Sequence, residues 1–429
     1  MLPASFHITG KLNGGTCHQD NKEEYIRLFK RVDSITTAHS DLWGKNIYGP
    51  VLLVNPATRE YIANYNPDDS SMSKSIAFYT GVLPADMHIS NTTKKWKGKN
   101  WAMVMLPLSN IHKHDVSVII HELTHVHLQS MGFPHGISDL EHLAEKNGRI
   151  LLRIELELLK KLLSNDLNNP DILRDALLIR KLRYDAFPGK KDAENSLELN
   201  EGLAEYSAMI MSGFSEQEIK SFYLMLIENY IAKENYDRAF GYITIPVYGY
   251  IFSRKNKLWT REISPATNLI GLFSTVFVPG VPEPVHQPVL KSGYNGIIKK
   301  YGYGGIVEKE NDMAAAKEKL EDSLRHEYIT KPHLEISFQK MSFTSTTRAT
   351  TTIRNTGVYY GSALINDAWG ELNITGGGII ISKDFRMAWL KQPVSISSDL
   401  IEGDGYQLKL KSPFAVQKIS ESVYVLKQN

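Results

Sequence analysis

The spacing of apolar residues changes along this chain, and that change limits the fold more than any other feature. From about Asp115 to Leu320, apolar residues recur three and four positions apart. The pattern is strongest in the runs 115–131, 138–163, 171–186, 195–211 and 216–232, and it is the period of amphipathic helices. After about Lys331 the texture becomes β-branched runs broken by turn residues, as in HLEISF, TSTTRATTTIRN, LNITGGGIIIS and YQLKLKSP. Residues 1–111 mix one helical stretch, Lys22 to about Thr37, with β-like runs at Gly49–Val54, Ser75–Thr80 and Trp101–Leu106. The expectation is an α+β protein with a small mixed α/β region (1–111), a mostly helical domain (112–330) and an all-β C-terminal module (331–429).

A chain of 429 residues exceeds one ordinary core, so more than one domain is expected. Lys plus Arg (49) nearly balance Asp plus Glu (47), and no basic stripe with interleaved aromatics suggests a nucleic-acid partner. The single cysteine, Cys17, excludes an intramolecular disulfide framework and any CxxC metal site, so a bound metal must use His and carboxylates. No apolar run is long enough to span a bilayer, and the start MLPASFHITGKLNGG lacks the apolar core of a signal peptide. The protein is then either cytoplasmic or an exported one numbered without its leader. The oligomeric state is left open.

The helix expected over Asp115–Met131, ended by Gly132 and Pro134, contains His121-Glu122-Leu123-Thr124-His125. A four-residue spacing places both imidazoles on one helix face, within reach of one tetrahedral Zn²⁺. Glu122 is turned about 100° from His121 and is free to hold a water instead of the metal. With 14 histidines in the chain, such a pentapeptide arises by chance about 3 times in 100, and seldom inside a credible helix. Downstream, Leu199-Asn200-Glu201-Gly202-Leu203-Ala204-Glu205-Tyr206 puts Glu201 and Glu205 one turn apart on another helix. Glu201 would complete a His₂Glu zinc site. Glu205 could accept the free ring N–H of a zinc-bound histidine and fix its tautomer.

These two segments resemble the gluzincin superfamily of zinc metallopeptidases, in which HExxH is followed on a later helix by a ligand Glu. LNEGLAEY looks like the NEGxA segment of the aminopeptidase branch, and the Glu201/Glu205 spacing is similar to that of the thermolysin branch. The arrangement as a whole is similar to uncharacterised bacterial gluzincin-like proteins. The resemblance implies a gluzincin-like catalytic domain, Zn²⁺ held by His121, His125 and Glu201, Glu122 as general base, and a peptide or protein substrate. Two departures qualify it. There are 75 residues between His125 and Glu201, enough for two inserted helices, and no GAMEN-like segment is present to bind a free amino terminus. A catalytically silent zinc-containing protein, whose β module binds a glycan or a partner, is the alternative.

The resemblance also calls for a Tyr or His downstream of Glu201 that donates to the oxyanion. Tyr248 is the first candidate, because Pro246 can open a new helix before it and Gly249 leaves room beside it; Tyr242 is the second. His127 points off the motif's face and is expected to pack, while His112, His114, His135 and His142 flank the helix and could line a cleft, though each alone is more often an ordinary surface histidine. Leu140, Leu143, Ala144, Leu151, Ile154, Leu158 and Leu162 form a stripe expected to pack on the metal-bearing helices, and Arg149, Arg153 and Glu155 a solvated or salt-bridged face. The strand Trp101–Leu106 is a candidate edge for pairing with an extended peptide or, equally, a core strand. The glycines of KKYGYGG and ITGGG lack the spacing of a phosphate loop.

Overall fold

The computed structural model describes residues 22–68, 78–109, 112–136, 139–232, 236, 238–277, 287–345 and 350–428; Cys17 and positions 75–77 of one expected strand lie outside the described residues. The protein is α+β, with a helical middle region between a small α/β part and C-terminal strands. Two compact units meet in sequence between Glu308 and Lys309. Among the described residues no helix is long and apolar enough to cross a membrane.

The first unit begins with α1 (Lys22–Ala38) and α2 (Ser40–Trp43), then a sheet of β1 (Val51–Val54), β2 (Glu60–Ala63), β3 (Tyr79–Val82), β4 (Thr92–Trp96) and β5 (Lys99–Met105). The strand order is β3-β2-β1-β5-β4, with β1 and β5 parallel and the other pairs antiparallel. β5, the candidate edge, is therefore an interior strand. Lys97 and Gly98 both take positive φ (47° and 76°), the two-residue turn whose twist suits a hairpin, and this folds β4 back over β5. The margin on that side belongs to β4.

α3 (His112–Ser130) packs on β5 and β4 through one face and on later helices through the other. It ends where Gly132 adopts a left-handed φ of 79° and the Phe133 N–H reaches back to the Leu128 carbonyl. Then follow α4 (Lys146–Ser164), α5 (Pro170–Ala186), α6 (Lys191–Leu197), α7 (Leu203–Met211), α8 (Glu216–Ile231), α9 (Gly241–Ser253), α10 (Leu269–Phe277), α11 (Gln287–Tyr301) and α12 (Gly304–Arg325). The Asn169 side chain caps α5 with Pro170 in its first turn, and Ser215 and Glu218 form a capping box on α8. The helix expected over 195–211 is broken by a π-helical turn, Glu198–Gly202, between α6 and α7. Leu151, Ile154, Leu158 and Leu162 of α4 are buried as their spacing implies, and α4 packs mainly on α5 and α8.

The second unit carries most of α12, a π-helical turn at His326–Thr330, and two sheets of seven and six described strands. Strand alternation builds its core. Leu334, Ile336, Ile379, Ile381 and Leu390 of one sheet share a cluster with Ala363, Ile365, Leu372, Ile401 and Leu408 of the other. Ile380 faces the opposite way and packs with Ile353 and Tyr328. The unit itself begins at Lys309, ahead of residue 331, and Tyr328 belongs to its packing.

Candidate metal centre

In α3 the spacing of His121 and His125 does what a helix requires: their Nε2 atoms stand 3.0 Å apart. Glu201 comes from the π-helical turn, held against α9 by a close approach at Gly202. A Cβ on that glycine would lie 2.7 Å from the Ile245 Cβ and 3.0 Å from the Gly241 carbonyl oxygen. The Glu201 Oε2 is 3.3 Å from the His125 Nε2 and 3.7 Å from the His121 Nε2. All three side chains are buried. They form a group whose ligand atoms lie within 4.8 Å of one another.

The donor set fits a divalent ion that accepts nitrogen and oxygen. Ligands at the usual Zn–N and Zn–O lengths stand about 3.3 Å apart around a tetrahedral ion, and the three observed separations, 3.0, 3.3 and 3.7 Å, bracket that value. Burial pulls the His121 pKa down, but hydrogen bonds to Glu201 and Glu205 outweigh it and raise it to about 10. Burial also works against ionised Glu201, yet hydrogen bonds from both histidines hold its pKa well below the usual carboxylate range.

Three further groups act on these ligands. The Oε2 of Glu205 lies 3.0 Å from the His121 Nδ1, so the ring can donate away from the cluster and leave Nε2 as an acceptor. Arg238 donates to Glu201 Oε1, and Tyr242 donates to Glu201 Oε2 while its ring stacks on that of His121 at 5.8 Å. Arg238 thus takes one oxygen of Glu201 and leaves the other toward the imidazoles. Sequence reading missed Arg238; the only signal was one cation beside an apolar run, RAFGYITIP, far from the motif. Burial, and then the Glu201 charge, raise the Tyr242 pKa, so its hydroxyl keeps its proton.

Glu122 is buried beside the cluster, and its Oε2 has no hydrogen-bond partner among the described residues. Burial raises its pKa, opposed by the charges of His125 and His121 and reinforced by Glu201. A buried carboxylate oxygen without a partner is costly unless something else engages it.

Tyr248 stands elsewhere. Pro246 lies inside α9 and does not open a helix, and the Tyr248 hydroxyl donates to Glu155 at 2.9 Å. Glu155, expected on a solvated or salt-bridged face, is fully buried in an ion network. It accepts from Arg180 at 2.9 Å and from Arg183 at 2.7 Å, while Arg183 also binds Glu194 and Arg180 binds Glu198. The helices α4 and α5 supply Glu155, Arg180 and Arg183, and Glu198 belongs to the same π-helical turn as Glu201. Among the other histidines, His142 is buried against Glu194 at 2.7 Å and is not a surface residue. His127 packs edge-on to Trp43 at 5.3 Å, His112 and His135 are exposed, and His114 is partly buried.

No family model, curated protein or solved structure matches this chain.

Proposed function

We propose that this chain is a zinc-dependent hydrolase of the gluzincin type that cleaves peptide bonds, with Glu122 as general base. The observation that carries the reading is the pairing of a buried His121/His125/Glu201 group with a carboxylate, Glu122, whose Oε2 has no partner among the described residues. A structural zinc site is closed by four protein ligands and needs no base, so the silent alternative leaves both the open position beside His121, His125 and Glu201 and the carboxylate of Glu122 without a use.

His121, His125 and Glu201 would hold the ion, which when bound would act as a Lewis acid on a carbonyl and acidify water. Glu122 accepts a proton from the attacking water and returns it to the leaving amine; a raised pKa suits it to both halves of that transfer. Glu205 fixes the tautomer of His121, and Arg238 fixes the carboxylate of Glu201. Tyr242, with its proton retained and its ring against His121, would turn its hydroxyl from Glu201 Oε2 to a developing oxyanion once an ion engages that oxygen.

Digestion of a peptide library by the purified protein tests the reading, with a chelator control and the variant Glu122→Gln. Cleavage is expected from the zinc-loaded protein, none after chelation, and nearly none from Glu122→Gln, which should keep its fold and its zinc. Unchanged cleavage by Glu122→Gln, or full metal content in His121→Ala, would sink the assignment.

A further inference from the structure

The two helix faces that meet at the metal group continue beyond it. On α3, Ser117 and His114 lie four and seven residues before His121, on the same side of the helix; on α7, Met209 lies one turn after Glu205. Where these faces meet α8 they leave a cavity of about 230 Å³. Its apolar wall includes Met209, Phe214 and Ile219, and its polar groups include Glu205, His114 and Tyr223. Ser221, which is exposed, stands at its mouth.

Two observations mark the cavity as a ligand site and not a packing defect. Tyr223 is 1% exposed, and its hydroxyl has no hydrogen-bond partner among the described residues. Glu205 brings a carboxylate to the same space, while its Oε2 is bonded to His121. Buried polar atoms of this kind are ordinarily satisfied, and an apolar cavity with a few convergent polar groups is the form small-molecule sites take. The charges fix the kind of molecule. Glu205 lines the cavity and no Lys or Arg is among its described lining residues, while Glu218 is already bonded to Lys113 through both oxygens; aromatic rings form part of the wall. A cation with an apolar body complements that surface, because carboxylates and ring faces both attract positive charge. The size sets a bound: a cavity of about 150 Å³ holds benzene, so this one takes a body of about six to nine heavy atoms.

We propose that this cavity binds a small amphipathic amine, its ammonium donating to Glu205 and to the Tyr223 hydroxyl and its alkyl or aryl body lying on Met209, Phe214 and Ile219. The binding itself requires no metal. A second consequence rests on the zinc reading above: because Glu205 also accepts from His121, amine and metal are coupled through one carboxylate, and by linkage each changes the affinity of the other equally.

The test is calorimetric titration of the full, chelated protein at pH 7 with hexylamine, hexanol and hexanoate, repeated on Tyr223→Phe and on Ser221→Trp, which blocks the mouth from an exposed position. Hexylamine should bind at least about tenfold more tightly than hexanol, with hexanoate not binding. Tyr223→Phe should weaken the amine severalfold, and Ser221→Trp should abolish it with the circular dichroism spectrum unchanged. Equal binding of amine and alcohol, or undiminished amine binding by folded Ser221→Trp, overturns the site. Zinc titration with and without saturating hexylamine then reads the coupling, expected as a shift of about fivefold or more in the zinc Kd. Amine binding with zinc affinity unmoved overturns the coupling alone, and amine binding by a protein that takes up no zinc overturns the metal reading while leaving the cavity as a ligand site.

Discussion

The Nδ1 of His121 lies 3.0 Å from the Oε2 of Glu205, across 84 positions of sequence and with both side chains buried. The contact favours a proton on Nδ1 and would leave Nε2 free to hold a metal. Glu205→Ala is expected to weaken zinc binding by about 10- to 100-fold without abolishing it. Competition against a chromophoric chelator measures this. An unchanged zinc Kd would mean the carboxylate does nothing for the ring.

Tyr242 and Tyr248 should separate cleanly. Tyr242→Phe is expected to lower kcat by about 10²- to 10³-fold with KM little changed, as for a donor used mainly in the transition state. Tyr248→Phe should leave kcat alone and cost about 1–2 kcal/mol of stability, because its hydroxyl serves the buried carboxylate of Glu155. Steady-state kinetics and urea unfolding of both variants check the pair; a catalytic defect confined to Tyr248→Phe would reverse the assignment.

The chelated protein should lose stability with alkali. The folded-state pKa of His121, about 10, is above its unfolded value of 6.5. Its stabilising contribution is therefore fully present below about pH 6.5 and is lost as pH rises toward 10, by up to about 1.4 kcal/mol per unit. Denaturant unfolding between pH 6 and 10 should show this slope in the wild type and lack it in His121→Gln. Zinc binding at pH 8 should release protons, detectable as a dependence of the calorimetric enthalpy on buffer ionisation. No release would mean His121 is already neutral.

The buried ion network should be the least forgiving part of the first unit. Arg183 bridges Glu155 and Glu194, and all three are fully buried. Arg183→Met leaves those carboxylates short of a partner and should cost about 3–5 kcal/mol. Glu194 adds a pH dependence of opposite sign to that of His121. Burial works against its ionised form, but Arg183 holds its pKa well below the usual carboxylate range. Its contribution is present above about pH 4.5 and fades as pH falls; Glu198, raised by burial, opposes part of that. Urea unfolding at pH 7 and pH 4 measures both effects, and a loss under about 1 kcal/mol for Arg183→Met would show that the network contributes little.

What the sequence by itself determined is what repeats within one element. Period 3.6 against period 2 separated helical from β regions, and the four-residue spacings aligned His121 with His125 and Glu201 with Glu205 before any packing was known. A helix period says which residues share a face, but not what that face meets. Tyr242 and Tyr248 both belong to α9 and lie about 120° apart around it, so only one could reach the histidines. The close approach at Gly202 to Ile245 and the Gly241 carbonyl goes with a rotation of α9 that brings the Tyr242 hydroxyl to Glu201. In the same way, Arg238 entered the site, Glu155 left the surface for the interior, and β5 lost its edge to β4 through contacts between residues distant or turned back in sequence. Those outcomes depend on which surfaces exclude water against each other, a property of the assembled chain that no local spacing contains.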